Sequence, residues 1–259
     1  MSVSGQRIHR RRDDLGWVEV WQDGDLRYLS FDGETAQSGM NVHEPARLVY
    51  DYTRAMLLAL LFVPRPREVL LLGLGAGSLA SALHSGFDTL RIRAVELRPL
   101  VVDIAKEWFF LPGDRRLTTQ VGDAGEYLLH ASRSVDVIFA DLYQPQGMDE
   151  QQAQTRFLAA CRGALHPAGI LVVNYWQASN LTSLALNQTL GEVFGRDFLS
   201  LTVPGGNCIV LAFDGGLPEV PQSRLIETAR GLGRRLDVPL TRLARDLHRQ
   251  NRLRLRYRI

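Results

Sequence analysis

The chain has 259 residues, 46% of them hydrophobic and 22% charged, the composition of a globular protein and not of a disordered or fibrous one. Its net charge of +2 is unevenly built: residues 221–259 carry eleven Arg against three acids, a net +8, which leaves −6 on the first 220 residues. The longest strongly apolar run, Ala55 to Val63, is too short to span a bilayer.

In chain order, the basic start (Arg7, Arg10, Arg11, Arg12) has no apolar stretch behind it and meets Asp13 and Asp14 at once. Neither a secretory signal nor a mitochondrial presequence is expected. Residues 15–40 read as short antiparallel strands. Trp17 to Gln22 alternates, Asp23-Gly24 is a hairpin turn, and Leu26 to Phe31 alternates again. They predict a β-flap within residues 1–44, too small to stand alone.

From Pro45 the rhythm changes to helix and strand in turn. Pro45 to Phe62 reads as one helix with Pro in its first turn. Continuous apolar runs at 68–72, 90–95, 117–121, 135–140 and 169–174 read as parallel strands buried on both faces. Ser78 to His84, Pro99 to Phe109 and Asp149 to Leu165 read as helices between them. Phe198 to Val203 and Cys208 to Phe213, joined by Pro204-Gly205-Gly206-Asn207, form a hairpin signal, which predicts an antiparallel last strand at the sheet's end. Together these predict a doubly wound, seven-stranded α/β sheet over residues 45–215. Residues 216–259 read as a basic helical extension. Leu225, Leu232, Leu236, Leu240, Leu243 and Leu247 form its contact stripe, Pro239 divides it, and the alternating run from Arg252 to Ile259 fits an edge strand.

Chemistry is expected at the carboxyl ends of the strands, where open α/β sheets bind ligands. Gly73-Leu-Gly-Ala-Gly-Ser78 directly follows the first core strand. Gly73, Gly75 and Gly77 permit a tight turn and a close backbone approach to a ligand, although such a turn also serves simply to join strand and helix. Glu96 ends the next strand, 23 residues after Gly73, a spacing suited to ribose hydroxyls; the plainer reading is a solvated strand-end acid. Asp123 in Val121-Gly-Asp-Ala124 can accept from an adenine amino group and can also cap the helix that follows. Asp141 stands after an apolar strand, which should raise its pKa or demand a cation. It can position or deprotonate an amine, or merely tether its loop. Trp176 reads as a core or surface aromatic able to stack on a ligand, and His43-Glu44 as a cap region. Cys161 and Cys208 have no disulfide or zinc spacing and read as buried and inert in a reducing cytoplasm. No metal is expected.

The order Gly-x-Gly-x-Gly, Val95-Glu-Leu97, Gly122-Asp-Ala124, the Asp141 loop and Leu165-His-Pro-Ala-Gly-Ile-Leu-Val-Val173 resembles the class I S-adenosylmethionine-type, Rossmann-like fold. With the flap, Ala36-Gln37-Ser38, and Tyr50 ahead of Pro66-Arg-Glu-Val-Leu-Leu-Leu-Gly73, residues 15–215 more narrowly resemble the spermidine synthases, the polyamine aminopropyltransferases. The resemblance implies transfer of the aminopropyl group of decarboxylated S-adenosylmethionine to a small amine such as putrescine, with release of methylthioadenosine. It implies that Gln37 contacts the nucleoside, Glu96 the ribose, and Asp123 with Ala124 the adenine. Asp141 would lie beside the attacking amine, with Tyr50 helping to bind it; Gln144, in the same loop, is a further candidate for substrate binding. It also implies a homodimer.

Two positions depart from the family's usual pattern. Ala76 stands where the glycine turn usually has an acid, and Gln144, before Pro145, stands where the active-site loop has its second acid. Each change removes a charge-assisted contact, typically worth about 1.5–3 kcal/mol. Two further readings follow from them. One is an S-adenosylmethionine-dependent small-molecule methyltransferase, since without an acid at position 76 a cofactor that keeps its carboxylate is not repelled. The other is a nucleoside-binding protein without turnover. The Arg-rich end has no nucleic-acid reader motif and no interleaved aromatics, so it is expected to pack on the body, whose acidic surface suits cationic amines.

Overall fold

The computed structural model describes residues 4–33, 35–144, 147–176 and 180–252. Strands β1 (Gln6–Asp13), β2 (Gly16–Asp23), β3 (Leu26–Phe31) and β4 (Thr35–Asn41) form an antiparallel sheet in that order. Its alternation turns Val18, Val20, Leu29, Phe31 and Met40 into one cluster with Leu100, Val101, Ile104 and Phe109 of the body. A four-stranded flap is too small to supply its own core. β1, which holds the N-terminal arginines, lies outside the strands read from the sequence. Arg7 and Arg10 pair with the buried Glu19 at 3.1 and 2.9 Å, and the Arg10 guanidinium lies 3.7 Å from the centre of the Trp17 ring.

The main sheet has β5 (Glu68–Leu72), β6 (Arg91–Glu96), β7 (Leu117–Val121) and β8 (Val135–Ala140). Two-residue strands β9 (Tyr143–Gln144) and β10 (Gly147–Met148) pair with each other, and β11 (Leu165–Trp176), β12 (Phe198–Thr202) and β13 (Asn207–Phe213) complete the sheet in the order β12-β13-β11-β8-β5-β6-β7. The helices are α1 (Asp51–Met56), α2 (Ser78–Gly86), α3 (Pro99–Trp108), α4 (Ala124–Leu129), α5 (Thr155–Ala164), α6 (Asn180–Phe194), α7 (Gln222–Leu236) and α8 (Leu240–Gln250). Successive residues of β5 feed opposite cores, as the pleat requires. Val69 and Leu71 meet Leu83 of α2, Ala229 of α7 and Ala244 of α8. Leu70 and Leu72 meet Leu128 of α4, Leu158 of α5 and Leu190 of α6. This is the doubly wound, seven-stranded arrangement expected.

The structure corrects several details. Pro45 to Phe62 is not one helix. Regular helix begins at Asp51, and Leu57–Leu61 tighten into a 3₁₀ turn. Ala55 to Leu61 are buried on every side, so no amphipathic stripe favours a long regular helix. The segment from Asp149 to Leu165 is broken at Gln154, where the backbone is extended, into a 3₁₀ turn (Glu150–Ala153) and α5. The last strand, β13, is antiparallel but not at the sheet's end. It lies between β11 and β12, and β12 takes the edge. β13 is the more apolar arm of that hairpin, and Cys208 to Phe213 are all buried. β7 is the opposite edge, and Val121 is 49% exposed.

The C-terminal helices lie on the body. Leu225, Leu232, Leu236, Leu240 and Leu247 enter the core that includes α2, Leu243 packs against it, and Arg224, Arg230, Arg234, Arg235, Arg242, Arg245 and Arg249 stay exposed. Pro145 and the alternating residues 253–259 lie outside the described residues. Among the described residues no helix is long and apolar enough to cross a membrane, and no group of His, Cys, Asp or Glu side chains could hold a metal ion.

Candidate active site

β5 has β6 on one side and β8 on the other, so the winding reverses at its carboxyl end, where doubly wound sheets open a crevice. The crevice is a cavity of about 680 Å³, a size suited to a small ligand. Its walls come from the glycine turn, the ends of β6, β8 and β11, the flap strand β4 and the β12–β13 turn. Gly73 has φ +91°, and a side-chain carbon there would run into the Asp141 carbonyl oxygen. The first glycine thus lets the loop after β8 close against the turn after β5.

At one end of the cavity stand Glu96, Asp123, Ala124, Gly75 and Gln37. Glu96 accepts from the Leu74 and Arg98 N–H groups, each at 3.0 Å. Burial raises its pKa, against the lowering effect of these backbone donors. Each carboxylate oxygen keeps acceptor capacity for a ligand hydroxyl. Asp123 caps α4 through the Glu126 N–H at 2.9 Å and also lines the cavity, so its two readings coexist. Gly77 is elsewhere. It opens α2 in the left-handed conformation at φ +77°, against Leu111, and is not part of the cavity wall. Ala76 belongs to the flap core with Val20, Leu29 and Met40, and an ionised acid in that apolar cluster would be costly.

The roof is tied down by Arg98. Its buried guanidinium grips Asp13 at 2.9 and 2.6 Å and the Gly16 carbonyl at 3.0 Å, beneath the Phe31 ring. Burial alone would raise the Asp13 pKa, but hydrogen bonds from Arg98 and the Leu15 N–H outweigh it and hold the group below its usual value. The tie places Leu15, in the β1–β2 turn, on the cavity wall with Leu97.

The other end is built around Asp141. Asn174 Nδ2 donates to Asp141 Oδ1 at 2.8 Å, and Asn207 Nδ2 donates to Asn174 Oδ1 at 2.9 Å. The Tyr52 hydroxyl, 3.4 Å from the Gln37 carbonyl oxygen, stands near enough to Asp141 to lower its pKa. Burial pushes the Asp141 pKa from its usual 3.8 up to about 6, against the lowering effect of the Asn174 hydrogen bond and of Tyr52. Burial and the Asp141 charge hold the Tyr52 hydroxyl well above the usual tyrosine range, so it stays protonated. The loop itself is locked by Gln152, which is fully buried. Its side-chain amide bonds both the N–H and the carbonyl of Leu142, at 3.0 and 3.1 Å.

Of the residues read from the sequence, Gln37, Tyr50, Gly73, Gly75, Glu96, Asp123, Ala124, Asp141 and Gln144 all line the cavity. Tyr50 does so by its ring, stacked on Tyr52 at 5.8 Å between centroids, while its hydroxyl is buried without a hydrogen-bond partner. Tyr52, two residues on, lines the same wall beside Asp141. Trp176, 48% exposed, also lines the cavity. Asn174 and Asn207 escaped notice as site residues. An Asn ending a buried apolar strand was the available signal for the first; only the β11–β13 pairing brings the second to it.

Residues 52–199 match the spermine/spermidine synthase domain. A polyamine aminopropyltransferase of Neisseria meningitidis serogroup A is 28% identical over 248 residues, covering 95% of this chain and 94% of that protein. One from Chromobacterium violaceum is 30% identical over 209 residues, covering 80% of each. A spermidine synthase crystallised with the transition state analogue AdoDATO superposes with a TM-score of 0.73 at 19% identity, covering 97% of this chain and 88% of that one. With more than half its length inside the domain match and near-complete alignment to curated aminopropyltransferases, the chain belongs to the spermine/spermidine synthase family and is a transferase of that family.

Proposed function

We propose that the protein moves the aminopropyl group of decarboxylated S-adenosylmethionine to a small amine and releases methylthioadenosine. The observation that carries this reading is the charge of the cavity wall. Among the described residues, Asp51, Glu96, Asp123, Asp141 and Asp149 line it against one cation, Arg98, whose guanidinium is engaged by Asp13. Such a cleft attracts cations and focuses them. The methyl-transfer alternative drew on Ala76, and the burial of Ala76 in the flap core removes that support.

The chemistry is a displacement in line. The amine lone pair attacks the methylene carbon next to the sulfonium, the carbon–sulfur bond breaks, and its electron pair returns to sulfur. Sulfur is already a good leaving group, so the enzyme's task is positioning and proton removal. Asp141, ionised above about pH 6, orients the nitrogen and takes its proton. Asn174 fixes the carboxylate, with Tyr52 beside it. Glu96 and Asp123 hold ribose and adenine, with Gln37 over the nucleoside. The buried free thiols Cys161 and Cys208 fit a reducing compartment, and the cytoplasm is the proposed location.

The test uses D141N in single-turnover incubations with decarboxylated S-adenosylmethionine and a panel of amines. The expected result is wild-type product, no D141N product above about a hundredth of that rate, and methylthioadenosine binding retained in both. Full turnover by D141N would overturn the assignment.

A further inference from the structure

We propose that the far end of the acceptor is read by the indole of Trp176 and not by a charge, so that the site takes a monoamine with an apolar tail as readily as a diamine. This rests on the aminopropyl-transfer reading and names its acceptor class. Asn174, which bonds Asp141 at 2.8 Å, and Trp176 stand two residues apart on β11. They share one face of the strand, while Val173 and Tyr175 enter the opposite core. The strand carries the wall about 7 Å from Asn174 to Trp176, a reach suited to the chain of a small amine whose nitrogen sits at Asp141. Asn207, paired with Trp176 across the sheet, donates its amide to Asn174 at 2.9 Å. The preceding residue, Gly206, has φ +91°, and a side-chain carbon there would lie 3.5 Å from the indole, so the ring rests against the β12–β13 turn. Trp176, Pro204 and Gly205 thus form one wall of the cavity.

That wall is apolar and bare. Trp176 is 48% exposed, and among the described residues it is the large exposed apolar side chain at this end of the cavity; Leu15 and Leu97, the other two that line it, stand at the Glu96 end. The acids of the cavity are committed elsewhere. Asp149 shares the Gln151 amide with Asp123, at 3.0 and 3.4 Å, which sets it at the nucleoside end. Asp51 pairs with Arg54 at 3.0 Å. Gln144 is neutral, and its amide is directed to Asp149. Asp141 is left for the reacting nitrogen, and among the described residues no second uncommitted carboxylate stands beside it to receive a far ammonium. An ammonium over an exposed indole gains little and keeps its water at the mouth of the cavity. A methylene chain laid on the same ring removes apolar area of both partners from water, and each fully buried methylene is worth about fourfold in affinity.

The test titrates 1-aminobutane, 1-aminohexane and 1,4-diaminobutane into protein saturated with methylthioadenosine, for wild type, W176F and W176A. Trp176 is half exposed at the end of its strand, so both variants should fold, and their methylthioadenosine affinity checks this. In wild type, 1-aminohexane should bind about fourfold tighter than 1-aminobutane, as expected for two added methylenes each half buried. The diamine should bind within about threefold of 1-aminobutane, the size of an exposed cation–π contact. W176A should erase the chain-length gain, and W176F should keep part of it. A larger diamine preference in wild type, a chain-length gain that survives W176A, or no binding of any amine overturns the role of Trp176. Because binding is read without turnover, the two ideas separate. A chain-length gain lost in W176A with no product from any amine would sustain Trp176 and sink the transfer reading. Product formation with no Trp176 effect would do the reverse.

Discussion

Asn174 Nδ2 donates to Asp141 Oδ1 across 2.8 Å while its own carbonyl is held by Asn207 at 2.9 Å, so the orientation of the central carboxylate is set from the β12–β13 turn. Asp141 has a pKa near 6, so kcat/KM should fall tenfold per pH unit below about pH 6 in wild type. The Asn174 bond lowers that pKa. N174A should therefore move the acid limb upward, by about one unit for a charge-assisted bond of roughly 1.5 kcal/mol. A pH–rate profile checks this. N207A should cause a smaller shift in the same direction.

Asp141 is also a stability liability. Its folded pKa is above its unfolded value, so the native state binds the proton more tightly, and stability falls as pH rises from about 4 to about 6. D141N removes the charge and should raise the melting temperature at pH 7.5 while leaving it unchanged near pH 3. The gain is bounded at about 3 kcal/mol by the shift of roughly two units. Thermal melts at the two pH values measure it.

Tyr50 and Tyr52 should separate cleanly. Y52F removes the hydroxyl that bonds the Gln37 carbonyl and lowers the Asp141 pKa, and should lower kcat/KM by about tenfold. Y50F removes a buried hydroxyl that has no partner, so it should leave turnover within about twofold and stability equal or higher. Steady-state kinetics and melts of the two variants decide between them.

This pair also shows what the sequence could and could not convey. Spacing and strand order located the glycine turn, Glu96, Asp123 and Asp141; the apolar runs of β5 and β8 are plain, while Asp123 after the polar edge strand β7 was legible from its Gly-Asp-Ala setting. Tyr52, which stands near Asp141, carried no signal of its own in the sequence, since α1 begins only at Asp51 and the residues before it have no regular periodicity. Ala76 was weighed as a missing ligand group, yet its surroundings are Val20, Leu29 and Met40, which only the docked flap supplies. The strand β1 was masked by its arginines, whose partners Glu19 and Trp17 lie across the turn.

The Arg98–Asp13 tie should matter to both folding and binding. Removing Asp13 leaves the buried Arg98 guanidinium without its counter-charge; because Asp13 itself reaches solvent, the cost is about 1–3 kcal/mol, below that of a fully buried pair. D13N should lower stability by about that amount in denaturant melts at neutral pH. It should also raise the KM for the nucleoside substrate with kcat little changed, because the flap turn that carries Leu15 loses its anchor. Since Asp13 has a depressed pKa, the wild-type contribution is present above the usual carboxylate pKa and is lost as pH falls below it.

The most direct measurement is a competition. Wild-type protein is given 1,4-diaminobutane with equal amounts of decarboxylated and intact S-adenosylmethionine, and the nucleoside products are identified by mass. The account predicts methylthioadenosine together with a diamine heavier by one aminopropyl group. S-adenosylhomocysteine with a methylated amine, or no nucleoside product at all, would contradict it.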